Sequence, residues 1–325
     1  MQYYSYYRLR SKDRDPLRHK KPCPPDFTII SCTLGTEQDY ASNVRSWLAC
    51  QPSEFIISTI DESLPRIGRL ADSLADCRVR IFSARSPDWR KQACEAIRNV
   101  SAPYLVFVDD RVRWGPHMLQ HLAIAFEDPA VGGVTPMAQV VPRGRHLTTW
   151  ESCGALNVVR RNILHSSLAY FMDGEVLNLA GRTSGYRTSL FQQENFYQAF
   201  QQDYWRGRYL LRTGDDNFLT SWVMRRGWKT QFMNHKEAAI LAKVNADTSY
   251  LKQLIRWSRD TARCYLRDSG FAIKTRKSSI LIHCTSKVIA NYASDFALIM
   301  EIGTLLLITT LRTCCDDALI GPFQM

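Results

Sequence analysis

Three acidic positions in this chain stand where carboxylates can do chemistry. Asp61 follows the apolar run Phe55–Ile60, and Asp109-Asp110-Arg111 follows Tyr104–Val108. Asp215-Asp216 follows Thr213-Gly214 and opens a helical stretch. Paired carboxylates can hold a hard divalent cation through oxygen or take a proton from a hydroxyl. Further on, Gln253-Leu254-Ile255-Arg256-Trp257 puts an amide, a guanidinium and an indole on one basic helix. Each feature alone is common, because an acid at a helix N-terminus is favoured by the helix dipole whatever else it does. Their order and wide spacing together are much harder to obtain by chance.

Those residues need a frame that brings strand ends together. Phe27–Cys32, Phe55–Ile60, Val79–Phe82 and Tyr104–Val108 are short apolar runs, which predicts four buried strands. Ser42–Leu48, Arg66–Leu74 and Trp89–Asn99 lie between them with helical patterning, and Pro116–Phe126 follows the fourth. This alternation predicts a mostly parallel sheet with helices on both faces. Ligands of such sheets bind beyond the carboxyl ends of the strands. Asp61 and Asp109-Asp110 stand at those ends, so topology brings them to one crevice. Residues 131–200 are less regular: Val131–Pro136 fits a strand, and Trp150–Leu168 and Asn195–Phe200 fit helices. Asn217–Arg226 fits a helix, Trp228–Met233 a last strand, and Ser249–Leu266 an amphipathic basic helix.

Composition narrows the partners. The chain has 325 residues, 45% hydrophobic and 22% charged, which excludes a disordered chain and a multi-span membrane protein. A formal charge of +11 favours nucleic acid, an anionic membrane surface or a phosphorylated substrate. No basic–aromatic nucleic-acid module is present, so nucleic acid ranks last and is not expected as a partner. Ten cysteines lie scattered without C-x-x-C spacing, the pattern of a reduced cytosolic chain. Residues 1–25 are rich in Tyr, Arg and Lys and read as a mobile basic tail, not a secretory leader. Val288–Leu311 is the candidate membrane span, interrupted by Asp295 and Glu301 at about 2.5–3.5 kcal/mol each on insertion scales. The histidines show no metal-ligand pairing, and His117 and His121 read as a surface pair. Trp47, Trp89, Trp150 and Trp228 read as core, and Arg160-Arg161 as a solvated helix face.

Taken together, Asp61, Asp109-Asp110, Asp215-Asp216 and Gln253-x-x-Arg256-Trp257 resemble the motif set of processive family 2 glycosyltransferases. Those are the cellulose, chitin and hyaluronan synthases and capsular-polysaccharide-synthase-like proteins. Arg90-Lys91-Gln92-Ala93 resembles their basic K-R-x-A element, and Asn178–Thr183 followed by Tyr186-Arg187 resembles the segment ahead of their catalytic acid. The resemblance covers about residues 27–270 and implies a glycosyltransferase-A-type, Rossmann-like α/β fold. It implies inverting transfer from a UDP-sugar to a carbohydrate acceptor hydroxyl, with Asp216 as base and Asp215 supporting or replacing it. It implies Mg²⁺ or Mn²⁺ on Asp109 and Asp110, which also contact the nucleotide sugar, and diphosphate contacts from Arg256 and Lys91. Thr33 and Asp61 would meet the base and ribose, and Gln253 and Trp257 the acceptor.

Two departures qualify that reading. Arg111 stands where the family has the second acid of D-x-D, and a guanidinium beside a cation repels it unless it turns to phosphate. The several membrane helices that frame such domains are not expected here, so a partner membrane subunit is. A degenerate homologue that binds nucleotide sugar or a partner synthase without turnover is the alternative. The expected organisation is the tail at 1–25, a catalytic domain at 26–247 and a basic interfacial helix at 248–275. A membrane-associated helix and tail follow at 276–325, with the catalytic domain facing the cytosol.

Overall fold

A computed structural model describes residues 26–275 together with Leu281, Cys284, Thr285 and Ile289. The basic tail at 1–25 and the candidate span Val288–Leu311, Ile289 apart, lie outside the described residues. The chain divides into two compact units, Met1–Arg267 and Asp268–Met325. The first holds every strand described below. In the second, the described residues are helical and begin with the last turns of a helix that starts at Ser249.

In chain order the elements are β1 (Phe27–Cys32), α1 (Tyr40–Leu48), β2 (Glu54–Ile60), α2 (Leu64–Leu74), β3 (Val79–Ala84), α3 (Trp89–Arg98) and β4 (Tyr104–Val108). Then come β5 (Val112–Arg113), α4 (Met118–Ala125), β6 (Val131–Pro136), β7 (Ala138–Val140), α5 (Thr149–Phe171) and β8 (Thr183–Arg187). The remainder is α6 (Glu194–Gln201), β9 (Tyr204–Trp205), β10 (Tyr209–Leu210), α7 (Asp215–Arg225), β11 (Lys229–Met233), β12 (Ile240–Ala242) and α8 (Ser249–Thr275).

Seven strands form the main sheet in the order β11-β6-β8-β4-β1-β2-β3. All its pairings are parallel except those of β8, which runs antiparallel between β4 and β6. This is the mostly parallel α/β sheet expected from the sequence. Alternation along each strand sends Phe27, Ile29, Phe55 and Ile57 to one core, with Val44 and Trp47 of α1 and Leu122 of α4. Ile30, Ile56, Leu105 and Phe107 face the other, with Ala93 and Ile97 of α3, Phe200 of α6 and Val223 of α7. Burial on both faces explains why these strands read as continuous apolar runs.

Within the main sheet, β8 is the strand that the sequence left unassigned, as it did the short β5, β7, β9, β10 and β12. Its residues, Thr-Ser-Gly-Tyr-Arg, carry no apolar run. The site is buried because β4 and β6 flank it, and a Cβ at Gly185 would stand 3.2 Å from Val134 Cγ1. A second sheet joins β5, β12 and β7 behind the end of β4. Helix α5 opens on a capping box, in which Glu151 N donates to Thr148 Oγ1 and Thr148 N to the Glu151 carboxylate. Two expectations need correction. His121 is fully buried in α4 instead of lying on the surface. Arg161 is half-buried, because α5 turns that side of the helix inward.

Candidate active site

Parallel pairing of β1 with β2 and β4 sets three carboxyl ends side by side. At the end of β1, Thr33 Oγ1 donates to Asp110 Oδ2 at 2.8 Å. Thr33 is itself held by Gly35 N at 2.8 Å, in a turn where Gly35 takes φ 65°. Asn43 Nδ2 of α1 donates to the Asp110 carbonyl at 2.8 Å, so the acid's backbone is anchored too. Asp109 N donates to Arg182 O at 3.0 Å, tying β4 to the entry of β8. Burial and the adjacent Asp109 carboxylate push Asp110 up to about 7. Asp61 follows β2 and is exposed, accepting from Ser83 Oγ at 2.7 Å.

Arg111 does not sit between the two acids as a substitute cation. Its guanidinium donates to Asn245 Oδ1 at 2.7 Å and pairs with Glu37 at 3.3 Å. Glu37 is also gripped by Arg143 at 3.2 Å. The guanidinium that replaces the family's second acid thus has protein partners, Asn245 and a Glu37 shared with Arg143.

The second acidic pair opens α7. Gly214 takes φ 74°, and a Cβ there would stand 3.3 Å from Asp260 Cβ, so the turn calls for glycine. Asp215 Oδ1 accepts from Arg90 Nε at 2.9 Å. Arg90 is 2% exposed. It also donates to Asp203 Oδ2 at 3.1 Å, Phe200 O at 2.7 Å and Thr213 O at 3.1 Å. Phe200 and Phe218 rings lie 5.0 and 5.4 Å from its guanidinium carbon. Lys91, the expected diphosphate contact, has an exposed side chain, because the next position on α3 points to solvent. Burial, with Asp216 adding to it against the opposing Arg90 charge, brings Asp215 up to about 6.

Asp216 is raised as well, by burial, against the Asn217 and Gly181 N–H groups and the charges of Arg161 and Arg256. Asn217 N donates to Asp216 Oδ1 at 2.9 Å. The absence of a side chain at Gly181 leaves room beside this carboxyl, since a Cβ there would stand 3.5 Å from Asp216 Cβ. Arg161 comes in from α5, its guanidinium lowered to about 10 by burial and by the like charge of Arg182.

Helix α8 closes the group. The Arg182 guanidinium carbon lies 5.6 Å from the centre of the Trp257 ring. Arg256 acts electrostatically on both Asp215 and Asp216. Gln253 is half-buried, and its Oε1 has no hydrogen-bond partner among the described residues. Arg182 therefore links the end of β4, the start of α7 and Trp257. Arg90, Arg161 and Arg182 were not singled out as site residues from sequence. Arg90 and Arg182 do lie inside the two motif-like segments, whereas Arg161 carries no sequence signal.

Comparison with known proteins fits this arrangement. A family model described as "Glycosyltransferase like family 2" matches residues 24–260. A type 2 glycosyltransferase of Zymoseptoria tritici is 35% identical over 246 residues, covering 75% of this chain and 51% of its own. One from Gibberella zeae is 31% identical, covering 80% and 52%. The chain spans about half the length of the curated relatives it matches. Among solved structures, residues 1–349 of S. aureus TarS with UDP-GlcNAc match with a TM-score of 0.45 at 14% identity, covering 70% of this chain and 60% of that one. With the family model spanning the whole sheet and both acidic pairs, this chain belongs to glycosyltransferase family 2.

Proposed function

We propose that this chain transfers a sugar from a UDP-sugar to a carbohydrate acceptor hydroxyl, with inversion at the anomeric carbon. The observation that carries the reading is that Arg182 interacts at once with Asp109, Asp216 and Trp257, with Asp110 and Asp215 beside those acids in the chain and Arg256 acting on Asp216. The acceptor oxygen bonds to the anomeric carbon as the bond from that carbon to the UDP oxygen breaks. The hydroxyl proton goes to Asp216, whose burial raises its pKa and so makes its carboxylate a stronger base than an exposed one. Asp215, held by Arg90, keeps α7 in place and supplies a fixed charge behind the base. Arg256 and Arg182 face the departing diphosphate, for which a guanidinium fork is well shaped. One base and direct displacement suffice for inversion. Trp257 and Gln253 take the acceptor ring and a hydroxyl.

Asp109 and Asp110 fit a divalent cation, because burial and then their mutual repulsion raise Asp110, and a bound cation offsets both. These two carboxylates would hold Mg²⁺ or Mn²⁺, which supplies charge neutralisation at the leaving diphosphate. Ion-pairing of Arg111 with Glu37 removes the sequence objection to that cation. Membrane association is part of the same reading. Helix α8 exposes Leu251, Ile255 and Leu266 beside basic residues, which suits an interfacial helix. Among the described residues no helix is long and apolar enough to cross a membrane. A polysaccharide-synthase role rests on the motif resemblance.

The test is UDP release across a panel of UDP-sugars with Mn²⁺, comparing the full chain with Asp216→Asn. Release by the wild type that disappears in the variant supports the reading. Equal release by both defeats the assigned base. Binding of UDP without release by either points to the degenerate homologue.

A further inference from the structure

A second cluster of chemically capable side chains lies on other elements. His121 on α4, His235 just after β11 and Glu237 in the following 3-10 turn come together, with one ligand atom of each within 4.8 Å of the others. Expectation from sequence had the histidines unpaired, since His121 and His235 are far apart in the chain. Their ring centres lie 4.9 Å apart, with planes at 34°. His121 Nε2 is 3.9 Å from Glu237 Oε2. His121 is fully buried, His235 is 8% exposed and Glu237 is exposed.

Two observations separate this group from an ordinary packed histidine pair. His235 Nδ1 is buried with no hydrogen-bond partner among the described residues. A buried polar atom without a partner signals a water or ion still to be placed. The second observation is the donor set. Two imidazoles lie in contact, and imidazole nitrogen is the commonest protein ligand for transition metals. A carboxylate at the rim completes two nitrogens and one oxygen, and its exposure leaves a way in and a position for water.

We propose that His121, His235 and Glu237 form a binding site for a divalent cation of the zinc type. Imidazole nitrogen selects zinc and its neighbours over Mg²⁺, which prefers oxygen. Tetrahedral zinc sets ligand atoms about 3.3 Å apart, so closure needs shifts on the order of 1 Å. The exposed Glu237 side chain has room to supply them. The site shares no residue with Asp109-Asp110. Its cation staples α4 to the connection between β11 and β12. Strand β12 pairs with β5, which directly follows the acidic pair, so the staple braces the small sheet behind the candidate active site.

The experiment titrates chelator-stripped full-length protein with ZnCl₂ by calorimetry and with CoCl₂ by visible absorption. Glu237→Gln serves as the main control, because its side chain is exposed and its loss leaves the fold intact. Expected is one equivalent of zinc whose affinity falls about 10–100-fold in Glu237→Gln. A cobalt d–d band of tetrahedral intensity should appear in the wild type and be lost in the variant. Zinc should raise the wild-type Tm more than that of the variant, with metal-free Tm values matching. His235→Gln should behave like Glu237→Gln where it folds, and Glu237→Gln decides alone where it does not. Equal zinc affinity in wild type and Glu237→Gln overturns the proposal, as does absence of any uptake or cobalt band. Binding held instead by the scattered cysteines would give that equal affinity.

Discussion

Asp109-Asp110 ends a strand and meets a hydroxyl and a backbone, whereas Asp215-Asp216 opens a helix and meets guanidinium groups. In the first pair no side-chain ion pair is formed among the described residues: the Arg111 guanidinium hydrogen-bonds to Asn245 and pairs with Glu37, and it and Arg182 act on Asp110 and Asp109 only through the field. Burial first, then the repulsion between the pair's two carboxylates, raises Asp110, and both suit a cation from solution. In the second pair Arg90 takes Asp215 and leaves Asp216 beside Gly181. The same dipeptide thus serves two ends, set by what surrounds it. Within the second pair, Asp215 is held by Arg90, and Asp216, next to Gly181, is the acid proposed as base.

Substitutions separate the two acidic pairs. The largest effect is expected at Asp216, where Asp216→Asn should lower kcat by about 10²–10⁴-fold with little change in folding stability. Asp215→Asn should act mainly on stability, and equal kcat losses in both variants would erase the division of roles. Arg90→Ala comes next. It takes the guanidinium from Asp215 and leaves the buried Asp203 to Arg267 alone, and should cost about 3–5 kcal/mol in urea unfolding, with Arg90→Lys recovering part. A loss below about 1 kcal/mol, as for a surface pair, would show that Arg90 does not hold Asp215 in place.

Asp110→Asn should weaken activation by Mn²⁺ by about tenfold or more, equivalent to about 1.4 kcal/mol. Titrating activity against Mn²⁺ measures it, and an unchanged midpoint would remove the first pair from cation binding. The smallest effect is on pH. Asp110, near 7, and Asp215, near 6, bind protons more tightly folded than unfolded. Their contribution to stability is complete below about pH 4 and is lost as pH rises through those values. In chelator, wild-type Tm should therefore fall relative to Asp110→Asn by about 2–4 °C as pH rises from about 5 to 8. A parallel pair of curves would mean that Asp110 is not raised.

Much of the frame was legible because it is local. Apolar runs at Phe27–Cys32, Glu54–Ile60 and Tyr104–Val108 announce buried strands wherever they occur, and alternation with helices sets them parallel. Strand β8 was hidden because its burial comes from neighbours, not from its own side chains. His121 looked like a surface residue because a helix face is known only once something packs on it.

Local sequence pattern sets the strand–helix alternation, the acids at strand ends and at a helix start, and the Gln253, Arg256 and Trp257 spacing on α8. Which acid of each pair is engaged, that Arg90 and not Lys91 turns inward, and where Arg111 points are settled only in the folded chain. The reason is range. Periodicity and capping act over a few residues, while Arg90 and Asp215 meet across 125 positions and Arg111 and Asn245 across 134. Such partners are chosen when the sheet closes, by whichever buried charge most needs one.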